Sequence, residues 1–187
     1  MSEDPDFAPI SDADWPAALA DMHAGFAGGL NVYRTMAHHP ALLRAWSQLR
    51  EHVVNRSALG RQRLEVVILR CGVRLGSDYE WSQHVIRARL YGLSDARIVS
   101  LRGPLSEMEP EDRILAGAVD ELFADRALGR ATQTALAALV GKEGVLDLIA
   151  TVGFYSTLGY MLNSFQTPLD DEIRHALSAN PIGDGSA

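Results

Sequence analysis

The sequence predicts an all-α fold, a single helical domain of about eight helices with no sheet. Three observations lead there. Apolar residues recur at helical spacing along most of the 187 residues, and no stretch alternates apolar and polar residues as a half-buried strand does. Starts and stops are punctuated by Ser, Asp, Pro and Gly at cap positions. The chain length suits one domain with a proper core, and a 47% hydrophobic, 22% charged composition is that of an ordinary globular protein.

Residues 1–10, with Pro5, Pro9 and several acids, are expected to form a flexible arm, residues 11–178 the helical domain, and residues 179–187 a flexible tail. Ser11 or Asp12 is placed to cap a first short helix through Trp15, Leu19 and Met22, with Pro16 in its first turn. Phe26-Ala27-Gly28-Gly29 should break it, and without a following Gly-Lys-Ser/Thr this glycine pair is a turn and not a phosphate loop. A short helix opens at Asn31-Val32-Tyr33-Arg34 and stops at His38-His39, because a residue before proline avoids helical backbone. Adjacent histidines point about 100° apart on a helix and do not converge on one metal. Pro40 starts the next helix, running to about Asn55 through Leu42, Leu43, Trp46, Leu49 and Val53.

The organising stretch is Leu64 to Leu93. A helix from Arg61 to Leu75, apolar at nearly every position and so buried on several sides, is joined by Gly76-Ser77-Asp78 to a second helix. Gly92 ends that one, and Ser94 caps a helix over 95–102. Pro110, behind Glu109 and ahead of Glu111 and Asp112, marks a strong helix start. A shorter helix over 132–140 and a long one over 142–163 follow, and Thr167-Pro168 ends the latter.

Charge and composition exclude several classes. A formal charge of −7 argues against a nucleic-acid surface, which needs clustered Lys and Arg. No apolar run reaches the roughly 18–20 residues that span a bilayer, and the acidic N-terminus does not resemble a secretory leader. One cysteine, Cys71, excludes an internal disulfide and suggests a reducing cytoplasm. The expected partner is a small molecule, with neither nucleic acid nor membrane.

Three polar residues stand out in the central pair. Glu65 lies in the apolar helix, and Glu80 and His84, four apart, share one face of the next. Folding the helices about the turn brings Glu65, ten residues before Leu75, opposite His84, nine after it. Two readings are open. Glu65 could pair with an arginine such as Arg34 or Arg87 while Glu80 and His84 form an ordinary helix pair. Alternatively, a carboxylate buried among apolar residues has a displaced pKa, and such groups gather where protons move. Cys71 sits mid-helix among apolar residues, where thiolate formation is suppressed. Ser77 has no Gly-x-Ser-x-Gly elbow, and the absence of a second spaced histidine or of His-Glu-x-x-His predicts no metal.

Glu65 followed by Ser77-Asp78-Tyr79-Glu80-Trp81-Ser82-Gln83-His84, with Gly92-Leu93-Ser94 beyond, resembles the carboxymuconolactone decarboxylase family, which shares an all-helical fold with the alkylhydroperoxidase D proteins. Asn31-Val32-Tyr33-Arg34, His38-His39-Pro40 and the stretch from Tyr155 to Pro168 look like the Tyr-Glu-Trp-x-x-His branch. The peroxidase branch carries a glutamate, a Cys-x-x-Cys pair and a histidine four residues after the second cysteine. Spacing carries these to Glu65, to Ser77 and Glu80 in place of the cysteines, and to His84. Without the pair, dithiol chemistry has no reactant.

The resemblance implies a cofactor-independent lyase or isomerase acting on a small lactone, organic acid or enolisable carbonyl compound. Glu65, Glu80 and His84 would be its catalytic residues, with His84 as general acid/base. Asn31, Tyr33, Ser77, Tyr79 and Trp81 are expected around the substrate, and Arg34 to hold a substrate carboxylate. The alternatives are a non-catalytic ligand-binding oligomer and a peroxidase-like protein relying on Cys71 alone. The resemblance also implies self-association as a trimer or hexamer.

Overall fold

The computed structural model describes residues 6–183. Among them no strand occurs, and the architecture is helical throughout. The first five residues of the expected arm and the last four of the expected tail lie outside the described range. Residues 7–10 lie against the body: the Phe7 ring stacks on Phe165 at 4.2 Å, and Ile10 N–H donates to the Arg34 carbonyl at 3.4 Å.

The N-terminal elements are shorter than the sequence suggests. Residues Ala17–Met22 form a 3₁₀ helix that starts after Pro16, because Trp15, as the residue before proline, is pushed out of helical backbone. Ser11 Oγ instead donates to the Asp14 carboxylate at 2.6 Å. The expected break at Phe26–Gly29 is itself a one-turn helix, α1. Gly28 is required there, since a Cβ would lie 2.0 Å from the His23 carbonyl oxygen. Helices α2 (Asn31–Met36) and α3 (Pro40–Arg50) follow. The expected run to Asn55 is α-helical only to Arg50, then widens into a π turn over Glu51–Arg56.

Helix α4 (Arg61–Leu75) is the axis of the domain. Every residue from Leu64 to Gly72 is buried, and α5, α7 and α8 all pack on it. It ends in a Schellman motif: Gly76 is left-handed at φ +59°, Ser77 N–H donates to the Gly72 carbonyl at 3.0 Å, and Gly76 N–H to that of Val73 at 3.2 Å. Left-handed backbone of this kind favours glycine. Ser77 then caps α5 (Asp78–Leu90), its hydroxyl accepting from Glu80 N–H at 3.4 Å. A Cβ on Gly72 would approach Trp81 N to 3.3 Å, so the missing side chain brings the two helices into close contact at the level of Glu80.

The remaining helices enclose this pair. Helix α6 (Asp95–Ser100) ends two residues earlier than expected, and α7 (Pro110–Asp125) starts at its proline. Helix α8 (Arg130–Phe165) contains a break at Gly141, φ +70° and ψ 177°, which divides it where the sequence places the junction of two helices. Its second half runs along α4, where Gly159 admits the Leu75 side chain and Asn163 Nδ2 donates to the Leu75 carbonyl at 2.9 Å. A further helix, α9 (Asp171–Ala179), was not evident from the sequence and packs on α5.

Candidate functional site

Gly76 and Ser77 turn the chain so that the buried face of α5 meets α4, and this meeting places Glu65, Glu80 and His84 together. Glu65, Glu80 and His84 are 1%, 3% and 5% exposed. His84 Nδ1 lies 2.6 Å from Glu65 Oε2, and His84 Nε2 lies 3.5 Å from Glu80 Oε2. With Glu65 as acceptor, Nδ1 carries the hydrogen, which leaves the Nε2 lone pair turned toward Glu80. The edge of the imidazole meets Tyr155 at 5.1 Å and 85°, fixing the ring.

The two carboxyl groups have different surroundings. Glu65 has His84 on one oxygen and Arg87 Nε 3.5 Å from the other. For Glu80, burial pushes the carboxyl up to about 8, with the Glu65 carboxylate adding to the rise and Arg87 opposing it. At neutral pH Glu80 is therefore mainly a neutral acid whose O–H can face the Nε2 lone pair of His84. Burial likewise pushes the Tyr33 hydroxyl up to about 12, against the opposing charge of Arg50. It holds Tyr155 well above its ordinary value, helped by the nearby Glu80.

A cavity of about 30 Å³ adjoins the trio, lined among others by Tyr33, Arg50, Tyr79, Glu80, His84 and Arg87. That volume accommodates a water molecule and little more. Its buried floor is edged by the half-buried Leu30, Arg50, Val54 and Arg87. Tyr33 and Tyr79, both expected around the substrate, line it. Tyr79 is also tied elsewhere, its hydroxyl donating to Asp170 Oδ2 at 2.5 Å.

The other expected contacts are spent on architecture. Asn31 donates through Nδ2 to the Pro168 carbonyl at 3.0 Å and through its backbone N–H to Asp170 at 2.8 Å. Arg34, expected to hold a substrate carboxylate, donates to the Gly28 and Ile10 carbonyls and to Asp12. It ties the N-terminal segment down and has no contact with the trio. Ser77 caps α5. Trp81 faces a different cavity, of about 280 Å³, with Arg102 stacked 4.1 Å over its ring.

Four polar lining residues were not among the expected site residues: Arg50, Gln83, Arg87 and Tyr155. Gln83 and Arg87 were visible in principle, because Glu80, Gln83, His84 and Arg87 follow the i, i+3, i+4, i+7 spacing of one helix face. Arg50 and Tyr155 arrive from α3 and α8, which no local pattern announces. Among the described residues, no group of three or more His, Cys, Asp and Glu side chains is arranged to hold a metal ion.

Residues 40–118 match the model of the Carboxymuconolactone decarboxylase family. This match covers 79 of the 187 residues, so the central helices of the chain resemble that family. The family match runs from the start of α3 into α7 and includes Arg50, Glu65, Glu80, His84 and Arg87, while Tyr33 and Tyr155 fall outside it. A comparison with curated proteins finds no match.

Solved structures similar to this chain share its all-helical fold. A cysteine-to-alanine variant of the debrominase Bmp8, in complex with 2,3,4-tribromopyrrole, is 15% identical with a TM-score of 0.73, over 96% of this chain and 99% of that one. Apo Bmp8 gives 13% identity and a TM-score of 0.73, over 92% of this chain and 96% of that one. An alkylhydroperoxidase AhpD core, a peroxidase-related protein from Ralstonia eutropha JMP134, gives 16% and 0.73, over 91% and 96% respectively. Ser77 and Glu80 stand where the sequence resemblance aligns the Cys-x-x-Cys pair of the peroxidase branch, so that pair has no counterpart in this chain. Cys71 is buried, and burial pushes its thiol far above the ordinary range, which suppresses the thiolate needed for attack.

Proposed function

We propose that this protein is a cofactor-independent lyase or isomerase that moves a proton on a small lactone, organic acid or enolisable carbonyl compound. The observation that carries this reading is the position of His84 between two buried carboxyl groups, one in hydrogen-bond contact and the other raised to about 8. An acid that ionises near working pH is suited to proton transfer. Glu80 donates its proton to the carbon of an enolate or dienolate and becomes a carboxylate; the His84 Nε2 lone pair then takes up a proton from solvent and passes it to Glu80, while Glu65 holds the imidazole tautomer and stabilises its transient charged form. For a decarboxylation the balance is simple: the C–CO₂⁻ bond breaks with its electron pair left on carbon, carbon dioxide departs, and that carbon takes the proton. The present 30 Å³ cavity has to open at its half-buried edge to admit a substrate.

The test is to incubate purified protein with γ-carboxymuconolactone and follow ultraviolet loss of the lactone together with carbon dioxide release, His84→Ala beside it. Lactone loss with wild type alone supports the reading. Equal loss with both proteins removes His84 from the chemistry. Deuterium incorporation into enolisable acids, run the same way, extends the test to other substrates.

A second reading, a non-catalytic oligomer that binds a small ligand, is favoured by one feature. Leu146, Ile149 and Tyr160 are 68%, 42% and 61% exposed and, with Gly153, lie along one side of α8 at helical spacing. Self-association through that side, as a trimer or hexamer, is measured by light scattering. On this reading Glu65→Gln and His84→Gln leave ligand binding intact.

A further inference from the structure

The arginines at the edge of the cavity are unlike the others in the molecule. Arg44, Arg63, Arg70, Arg89 and Arg97 each place two nitrogens on a carboxylate. Arg50 and Arg87 do not. The Nε of each is buried with no hydrogen-bond partner. Arg87 approaches Glu65 at 3.5 Å and has the Tyr91 hydroxyl within reach of its guanidinium, with Nε itself left without an acceptor. Arg50 has no ion pair among the described residues, and its guanidinium lies over the Phe26 ring at 4.0 Å and 5.7 Å from the centre of Tyr33. A buried guanidinium N–H without an acceptor is costly, and two of them line one small cavity beside Glu80 and His84.

The charge balance points the same way. The only carboxyl group lining the cavity is Glu80, which burial keeps largely neutral at pH 7, so two cations face the space with no anion inside it. The aromatic rings of Phe26 and Tyr33 hold the Arg50 plane, and although the Tyr33 hydroxyl lies within reach of the guanidinium, its buried Nε–H stays without an acceptor, available to a planar partner.

We infer that Arg50 and Arg87 form a receptor for the carboxylate of an anionic substrate, and that this receptor delivers the substrate to Glu80 and His84. Within the class named above, the substrate is then an acid anion rather than a neutral lactone or ketone. The catalytic meaning of this receptor rests on the proton-transfer reading; the binding itself does not, so the two can fail separately.

The experiment titrates acetate, its neutral isostere acetamide, and inorganic phosphate into the full chain, following the Arg50 and Arg87 Nε–H resonances by ¹H–¹⁵N NMR. The expected result is saturable movement of both resonances with acetate, none with acetamide, and weaker movement with phosphate. Arg50→Gln should weaken acetate binding roughly tenfold or more, as loss of a charged hydrogen-bonding partner does. Arg50→Lys, which keeps the charge and guards against a folding defect, should retain an intermediate affinity. Arg56→Gln, in an exposed pair with Glu51, should bind acetate as wild type does. Equal responses to acetate and acetamide, unchanged acetate affinity in Arg50→Gln, or tighter binding of phosphate than of acetate would each overturn the inference. Because no turnover is read, acetate binding by a protein inactive toward every substrate would sustain the receptor while sinking the proton-transfer reading.

Discussion

Glu65 and Arg70 lie five residues apart on α4, both buried, and their surroundings differ in kind. Arg70 uses all three guanidinium nitrogens: Nε and Nη2 reach the two oxygens of Asp120 at 2.8 and 2.6 Å, and Nη1 donates to the carbonyls of Leu101 and Gly103 at 2.8 and 3.0 Å. Its cluster binds α4 to α7 and to the turn after α6, and nothing is left to offer a ligand. Around Glu65 the bonding is incomplete. His84 Nε2 stands 3.5 Å from Glu80, and the Nε groups of Arg50 and Arg87, which line the same cavity as Glu80 and His84, are unpaired. Burial that satisfies its polar groups builds structure. Burial that leaves them unsatisfied costs stability and is tolerated where a function uses the unpaired groups.

That contrast can be broken most severely by exchanging the outcomes of two substitutions. His84→Ala should lower turnover roughly 10²- to 10⁴-fold, the range for loss of a general acid/base, while urea denaturation shows a fold that remains intact. Arg70→Ala should do the reverse, destabilising the protein by about 3 kcal/mol because Asp120 loses its partner in a partly buried site, with the turnover of the folded fraction preserved. Turnover lost in Arg70→Ala without loss of stability would erase the distinction between the clusters.

A smaller effect sharpens the comparison through pH. The Glu80 carboxyl is raised from its ordinary 4.5 to about 8 in the folded protein. The folded state therefore holds a proton that the unfolded state has released between those values, and stability falls as pH rises through this window and levels off above it. Glu80→Gln should remove that slope, measured by melting temperature from pH 4.5 to 9. If Glu80 is the acid, wild-type turnover should also decline above about pH 8. The smallest effect is expected at Cys71, whose buried thiol takes no part: Cys71→Ala should leave turnover within about twofold of wild type, in keeping with a residue that only packs. A large loss there would revive thiol chemistry.

Much of this was legible in the sequence because it depends on local rules. Gly76 ends α4, Ser77 caps α5, and the four-residue spacing of Glu80 and His84 fixes their common face; one hairpin then carries Glu65 to His84. The errors share a cause, which is the choice of tertiary partner. Arg34 looked available for a substrate carboxylate, but its acceptors, the Gly28 and Ile10 carbonyls, come from irregular backbone that a pattern does not place. Asn31 is held by Asp170, 139 residues beyond it, and Tyr79, while lining the cavity, gives its hydroxyl hydrogen to the same carboxylate, 91 residues beyond it. Arg50, to which we assign the role expected of Arg34, stands at the end of α3 where a run of helical spacing gives way to a π turn. Helix α9 lies beyond Pro168, where the long helix ends, and its apolar stripe of Ile173, Ala176 and Leu177 spans fewer than two turns, too short to stand out against the polar residues around it.

The most direct test of a proton-transfer site at Glu80 and His84 is a ¹³C NMR titration of the glutamate side-chain carboxyls, assigned through Glu80→Gln and repeated in Glu65→Gln. The expected result is a Glu80 resonance that remains in the acid form through pH 7 and titrates near 8, moving to lower pH when the Glu65 charge is removed. A Glu80 carboxyl that is already ionised at pH 6, unaffected by Glu65→Gln, would contradict the assignment of Glu80 as the acid and return the trio to an ordinary buried ion pair.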